Sequence, residues 1–295
     1  MNEIKRVAVL MATYNGSLYL EEQIDSILNQ EEIQANIFFS DDCSEDNTGE
    51  ILKKYCSKYN NCSLISEYRK HGSASENFFY LLKNAPLEEF DYVCFSDQDD
   101  VWFPKKIISG IKKIMDSNYK GYSSNVIFWK PKNNKKIIKK NQKQTRYDYM
   151  FQSGGPMSTY ILKATAAVEF THFIKKIPHK KRKKIWLHDW FIYAYFRNRG
   201  HSWFLDDYSG ILYRQHSKNL IGANIGFYAA VRRFKMLKNW RNQVLLLSEV
   251  LGYSDKLPIF INEKLGIYFI KKPFKARRKI TESFLLSIAS LLRLF

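Results

Sequence analysis

The chain has 295 residues, with 47 Lys and Arg against 29 Asp and Glu and a formal charge of +18. Hydrophobic residues make up 45% and aromatics 16%, enough to bury a core, which excludes a disordered basic tail, and the length suits one or two domains. Cys43, Cys56, Cys62 and Cys94 are scattered and form no C-x-x-C pair, so neither a disulfide scaffold nor a thiolate zinc site is expected; they read as free thiols in a reducing compartment.

In chain order, Val7–Thr13 is a continuous apolar run that ends at Tyr14-Asn15-Gly16, the pattern of a buried strand and a turn. Leu20, Ile24, Ile27 and Leu28 follow at helical spacing. Ala35–Ser40 predicts a second strand that runs into Asp41-Asp42-Cys43-Ser44-Glu45-Asp46, and Thr48–Tyr59 a helix. Cys62–Ser66 predicts a third strand, Asn77–Leu82 a helix, and Tyr92–Phe95 a fourth strand that opens into Ser96-Asp97-Gln98-Asp99-Asp100. Pro104 suits the first turn of another helix. Further on, Asn125–Trp129, Trp203–Asp206 and Ile211–His216 predict strands, and Lys163–Ile174 and Trp186–Arg199 predict helices. After Gly226 the pattern is helical to the end, and there is no internal repeat.

Alternating strands and helices predict a parallel sheet covered on both faces. Ligands of such sheets lie beyond the carboxyl ends of the strands, where Thr13–Asn15, Asp41–Asp46 and Asp97–Asp100 all fall. The three polar clusters should therefore converge on one crevice. Within the last of them, Asp97 and Asp99 alternate along an extended segment and so share a face. Paired carboxylates of this kind suit Mg²⁺ or Mn²⁺ bridging to ligand phosphates; the competing reading is a solvated turn capping the next helix.

These clusters resemble the successive motifs of family 2 glycosyltransferases: Thr13-Tyr14-Asn15, then Asp41-Asp42-x-Ser44-x-Asp46-x-Thr48, then Ser96-Asp97-Gln98-Asp99-Asp100-x-Trp102. The wording Phe95 to Trp102 is similar to bacterial polysaccharide rhamnosyltransferases of that family, and the match runs from about Val7 to Gly222. The resemblance implies a GT-A fold, a Rossmann-like mixed α/β sheet flanked by helices, over residues 1–222, with a helical, basic and amphipathic extension over 223–295. It implies that Thr13, Tyr14 and Asn15 line a nucleotide pocket, that Asp42 bonds the base and Asp97 the ribose or metal, and that Asp99 is the main ligand of Mg²⁺ or Mn²⁺. His188-Asp189-Trp190 is similar to the motif that supplies the general base, Asp189, for an inverting displacement. Tyr213-Arg214-Gln215-His216-Ser217-x-Asn219 is similar to the segment that closes over the donor diphosphate, with Arg214 on phosphate and His216 on the metal, although a lone histidine is as readily structural. Gly154 and Gly155 are expected between donor and acceptor. His188 is expected to shape that pocket, and Trp102 and Trp190 to stack on sugar or, as such aromatics often do, to pack in the core.

The charge is concentrated. Lys130–Arg146, Lys175–Lys184 and Lys271–Lys279 hold eight, seven and six basic residues without an acid, which leaves 26 basic against 29 acidic elsewhere. These runs contain few aromatics and no nucleic-acid motif, so nucleic acid is not the expected partner; a non-catalytic nucleic-acid or scaffold-binding protein is the opposing reading. Phe284, Leu285, Ile288, Leu291, Leu292 and Phe295 recur at helical spacing after the last run, which suits an anchor on an anionic membrane surface. The same helix suits packing on the protein's own core or pairing in a homodimer. No apolar stretch reaches the ~20 residues of a membrane span, and the start lacks a signal-peptide core. The expectation is a cytoplasmic enzyme, peripheral at the inner face of the membrane, that takes a dTDP- or UDP-linked sugar, rhamnose favoured, to a lipid-linked saccharide of a surface polysaccharide.

Overall fold

The computed structural model describes residues 3–66, 69–129, 135–216, 227–253 and 277–283. Strands β1 (Lys5–Thr13), β2 (Ile33–Asp41), β3 (Cys62–Ser66) and β4 (Tyr92–Ser96) alternate with helices α1 (Leu20–Leu28), α2 (Thr48–Lys58) and α3 (Ala74–Asn84). Then come β5 (Val101–Trp102), α4 (Lys106–Asp116), β6 (Gly121–Ser124), β7 (Val126–Trp129), β8 (Lys136–Ile138) and β9 (Ile161–Lys163). The remaining elements are α5 (Ala164–Lys175), α6 (His179–Arg182), α7 (His188–Asn198), β10 (Trp203–Asp206), β11 (Ile211–Arg214) and α8 (Phe227–Val250).

β1 is apolar throughout because both its faces are covered. Val7, Val9 and Met11 join a core with α1, α2 and α4, while Ala8 and Leu10 join the opposite core, built on α3, α5 and α7. The seven strands run in the order β10-β6-β9-β4-β1-β2-β3. Thr13 pairs with Asp41 and Met11 with Ser96, so the polar ends of β1, β2 and β4 stand level. A smaller sheet, β5-β11-β7-β8, lies apart.

The main sheet is mixed rather than purely parallel, because β9 runs antiparallel between β4 and β6. Its three residues are too short to show a period of their own, and sequence reading merges Lys163 into the helix that follows. α3 starts earlier than its apolar spacing suggests. Ser73 caps it by accepting from the Glu76 N–H.

α8 is docked on the body of the protein. Val244, Leu247, Leu251 and Tyr253 belong to the α3/α5/α7 core, and the Asn198 amide donates to the Leu251 carbonyl at 2.9 Å. The proposed boundary near residue 222 and the apolar repeat Phe284–Phe295 lie outside the described residues. All four cysteines are free thiols. Among the described residues, no helix is long and apolar enough to cross a membrane.

Candidate active site

The three polar clusters meet where the chain order reverses, with β2 on one side of β1 and β4 on the other. Leaving the sheet so abruptly takes left-handed backbone at Asn15 (φ 47°) and Cys43 (φ 57°). The Thr13 hydroxyl donates to Asp41 Oδ1 at 2.7 Å, and the Asn15 N–H donates to Ser44 Oγ at 2.8 Å. Gln98 grips the backbone of Tyr14 twice, accepting from its N–H at 2.8 Å and donating to its carbonyl at 2.9 Å. A Cβ at Gly16 would fall 2.3 Å from Gln98 Cδ, so only glycine admits this grip. The Tyr14 ring itself is 53% exposed.

Asp42 lies at the edge of the same crevice, nearly buried. Its carboxylate accepts from the N–H groups of His71 and Gly72 in the turn before α3. Four lone-pair sites leave it capacity for a further donor.

Asp97, Asp99 and Asp100 crowd the end of β4. Burial pushes the Asp97 carboxyl up to about 7, with the charges of Asp99 and then Asp189 adding to the rise. Burial likewise holds Asp100 well above the carboxylate range, helped by its two neighbours. His216 Nε2 lies 2.8 Å from Asp99 Oδ2, and the ring stacks on Tyr19 at 5.0 Å between centroids. Among the described residues, no group of three His, Cys, Asp or Glu side chains is arranged to hold a metal. Asp99 and His216 are two donors, however, and hard divalent cations commonly bind one or two protein ligands and complete their shell with phosphates and water. A carboxylate oxygen and an imidazole nitrogen are donors such an ion accepts, so the residues present fit it.

Arg214 serves this cluster from behind. Its Nε donates to the Asp99 carbonyl at 2.9 Å, its N–H to Asp100 Oδ1 at 3.2 Å, and its guanidinium pairs with Glu22. Tyr19 and Trp129 cover it at 4.5 and 4.2 Å. The guanidinium, nearly buried, braces the Asp99 backbone.

On the opposite side, Asp189 sits in the first turn of α7, where the helix N-terminus favours a carboxylate. The Trp190 N–H donates to its Oδ1 at 2.7 Å. Burial nevertheless pushes its carboxyl up to about 6, with the Lys140 charge opposing the rise. The Tyr160 hydroxyl donates to the Asp189 carbonyl at 3.1 Å and accepts from the Gly154 N–H at 3.0 Å. Gly154 is thus locked beneath the site, as is its carbonyl, which accepts from Ser123 at 3.1 Å. Gly155 follows in the same turn, buried beside the Ser124 backbone.

Both tryptophans expected against sugar are core residues. Trp190 is buried and donates to the Tyr149 carbonyl at 2.7 Å; Trp102 is buried under the Lys106 ammonium at 3.5 Å. Neither presents a ring face to the crevice, because each continues an apolar face of its element. His188 turns toward α3, with Nδ1 3.1 Å from Ser75 Oγ and its ring 4.9 Å from Phe78. Burial lowers its pKa to about 4 and keeps it neutral.

Of the C-terminal basic run, Arg277 and Arg278 reach the glycine turn. The Arg278 side chain is 4% exposed, donates to the Ser153 carbonyl at 2.8 Å and lies 3.7 Å from Asp148. Arg277 donates to Gln152 Oε1 at 3.3 Å and pairs with Glu282. These two charges clamp the glycine turn, the Arg278 side chain almost fully buried and that of Arg277 partly so. Gln98, Glu22, Tyr160 and Arg278 are site residues that sequence reading passed over. Gln98 alone carried a local signal, since the residue between two alternating aspartates points to the other face of the segment.

The family model for glycosyl transferase family 2 matches residues 8–165. Over 295 residues the chain is 38% identical to dTDP-rhamnosyl transferase RfbG of Shigella flexneri, covering 97% of this chain and 100% of that relative. It is 28% identical over 123 residues to the putative teichuronic acid biosynthesis glycosyltransferase TuaG of Bacillus subtilis, covering 40% of this chain and 46% of TuaG. In fold it resembles S. aureus TarS 1-349 in complex with UDP, with TM-score 0.55 and 14% identity, over 98% of this chain and 80% of that one. It similarly resembles the mannosyltransferase PcManGT from Pyrobaculum calidifontis in complex with GDP-Man and Mn²⁺, with TM-score 0.54 and 14% identity, over 100% of this chain and 82% of that one.

Proposed function

The chain belongs to glycosyl transferase family 2, and from that premise we propose an inverting transfer of rhamnose from dTDP-rhamnose to a lipid-linked saccharide in surface polysaccharide synthesis. At the coarser level it is a nucleotide-sugar-dependent glycosyltransferase of polysaccharide or glycoconjugate synthesis. The observation that carries the mechanism is Asp189: a carboxylate raised to about 6 by burial, close enough to Asp97 for its charge to be felt there.

In this reading residues 1–222 form a GT-A catalytic domain and 223–295 its extension. Thr13, Tyr14, Asn15 and Asp42 border the nucleotide, Asp97 the ribose, and Asp99 with His216 would hold Mg²⁺ or Mn²⁺. Such an ion, when bound, supplies positive charge to the departing diphosphate. Asp189 accepts the proton of the acceptor hydroxyl as its oxygen attacks the anomeric carbon on the face opposite the diphosphate, which inverts configuration. The Gly154–Gly155 turn, fixed by Tyr160 and Arg278, lets the backbone come close to the sugar. Rhamnose is favoured by the relative that aligns over the full length.

The acceptor reading places the enzyme at the inner face of the membrane, supported by the apolar repeat Phe284–Phe295 that follows the basic run Lys271–Lys279 in the sequence. Purified protein given a lipid-linked saccharide acceptor and a panel of dTDP- and UDP-sugars with Mn²⁺ tests the donor. Turnover with dTDP-rhamnose above UDP-hexoses is the expected result; turnover with a UDP-hexose alone overturns the rhamnose assignment, and no turnover with any overturns the transferase reading.

A further inference from the structure

The second basic run does not lie on a flat surface. Glu76, Tyr80 and Lys83, at i, i+4 and i+7, share the outer face of α3. Against this face pack the turn Arg69–His71 and helix α6, enclosing a cavity of about 410 Å³. Arg69, Lys70, Lys83, Arg182 and Lys183 line it, and of the lining residues only Glu76 is acidic.

That carboxylate is already committed. Arg182 holds it with Nε and Nη2 at 3.0 and 3.1 Å, and His179 Nε2 lies 3.6 Å away. Among the described residues, Arg69, Lys70, Lys83 and Lys183 form no ion pair. Arg69 is exposed, with its guanidinium over the Tyr80 ring at 4.7 Å, at the rim of the cavity. Lys83 is pressed down in pKa by burial and then by the Arg182 charge, with Glu76 opposing the fall. Cations converging from three elements on a concavity raise the potential for an anion inside it. An arginine fork and lysine point charges are the groups that hold phosphate oxygens.

The geometry points to a second anion site, distinct from the Asp99 and His216 pair, that takes a diphosphate through Arg69, Lys70, Lys83 and Lys183. A concave site with charges on three sides fits a discrete headgroup-sized polyanion better than a planar leaflet. The same walls reach the transfer site: the His71 and Gly72 N–H groups hold Asp42, and Ser75 of α3 meets His188 beside Asp189. An occupant would therefore stiffen both sides of the crevice. The site stands independently of the transfer reaction.

Calorimetric titration of the full chain with inorganic pyrophosphate in EDTA tests it, since chelation silences metal-dependent binding at Asp99. Saturable one-to-one binding is expected, about tenfold weaker in Lys83→Met and in Lys183→Met, the loss of a charge-assisted contact. Lys112→Met, whose ammonium pairs with Glu32 elsewhere, should bind as the parent does. Melting curves of each variant separate misfolding from a lost site, and Lys183, on the surface, is the variant least able to disturb the fold. Sedimentation with phosphatidylglycerol vesicles distinguishes the phosphate's source. Vesicle binding that pyrophosphate displaces and that both variants lose identifies a lipid headgroup; vesicle binding untouched by them identifies a free diphosphate, and either supports the site. Absence of pyrophosphate binding, or equal binding in parent and both variants, overturns it.

Discussion

Asp99 and His216, 117 residues apart in the chain, meet with Nε2 2.8 Å from Oδ2. The meeting depends on β11, which brings Arg214 against the Asp99 backbone two residues before the histidine. A loop anchored in this way can present two donors to a cation without a preformed cage. The affinity for metal should therefore depend on whether a diphosphate is present to complete the shell.

Arg214→Ala removes the brace while leaving both donors in place. It should lower metal-dependent donor affinity by roughly tenfold and stability by about 1–3 kcal/mol, the cost of lost hydrogen bonds to charged groups. Donor binding measured with and without Mn²⁺, alongside a denaturant melt, checks both. Unchanged affinity would show that β11 does not position Asp99.

Asp189→Asn keeps the shape of the side chain and removes the base. Turnover should fall by about 10²–10⁴-fold, the range for a general base, while the donor dissociation constant stays within about twofold of the parent. Turnover equal to that of the parent would eliminate Asp189 as the base.

The pH dependence has a definite sign. Asp189 must be ionised to accept a proton, and burial sets its pKa at about 6. kcat/KM should rise about tenfold per pH unit below that value and level off above it. Ionisation opposes folding, because the folded value lies above the ~3.9 of an unfolded aspartate. This group's contribution is fully present below that pH and is lost as pH rises through about 6. Asp189→Asn should therefore be at least as stable as the parent at pH 8, although inactive; paired pH–rate and melting curves test the two signs together.

Gly154→Ala would place a Cβ 3.0 Å from Tyr193 Cδ2 and 3.2 Å from both Ser123 Oγ and Tyr160 OH. These are rigid, buried neighbours, so the turn must move. A loss of about 1–3 kcal/mol is expected from overpacking, together with a fall in kcat, because Tyr160 links this turn to Asp189. Thermal melts and steady-state rates report the two effects; an active, undiminished variant would free the turn from the site.

The crevice was legible because it rests on local pattern. Apolar runs of strand length that end in Thr13, Asp41 and Ser96 bring those ends to one edge of a parallel sheet, and Asp97 and Asp99 share a face by alternation alone. β9 escaped notice since three residues carry no period. Trp102 and Trp190 were ambiguous because a sugar platform and a core residue have the same composition, and only their burial separates the two.

Charge shows the division most clearly. The amino-acid sequence alone determined the strand–helix order, the carboxylate triplet, the family motifs, and the confinement of 21 of the 47 basic residues to three acid-free runs. Tertiary structure alone decided where those charges act. Lys140 bears on Asp189, Arg182 clasps Glu76 beside a basic cavity, and Arg277 and Arg278 close on the glycine turn. The physical reason is that a cation's role is set by its partner and its burial. Both depend on residues some fifty to more than a hundred positions away, which no local spacing records.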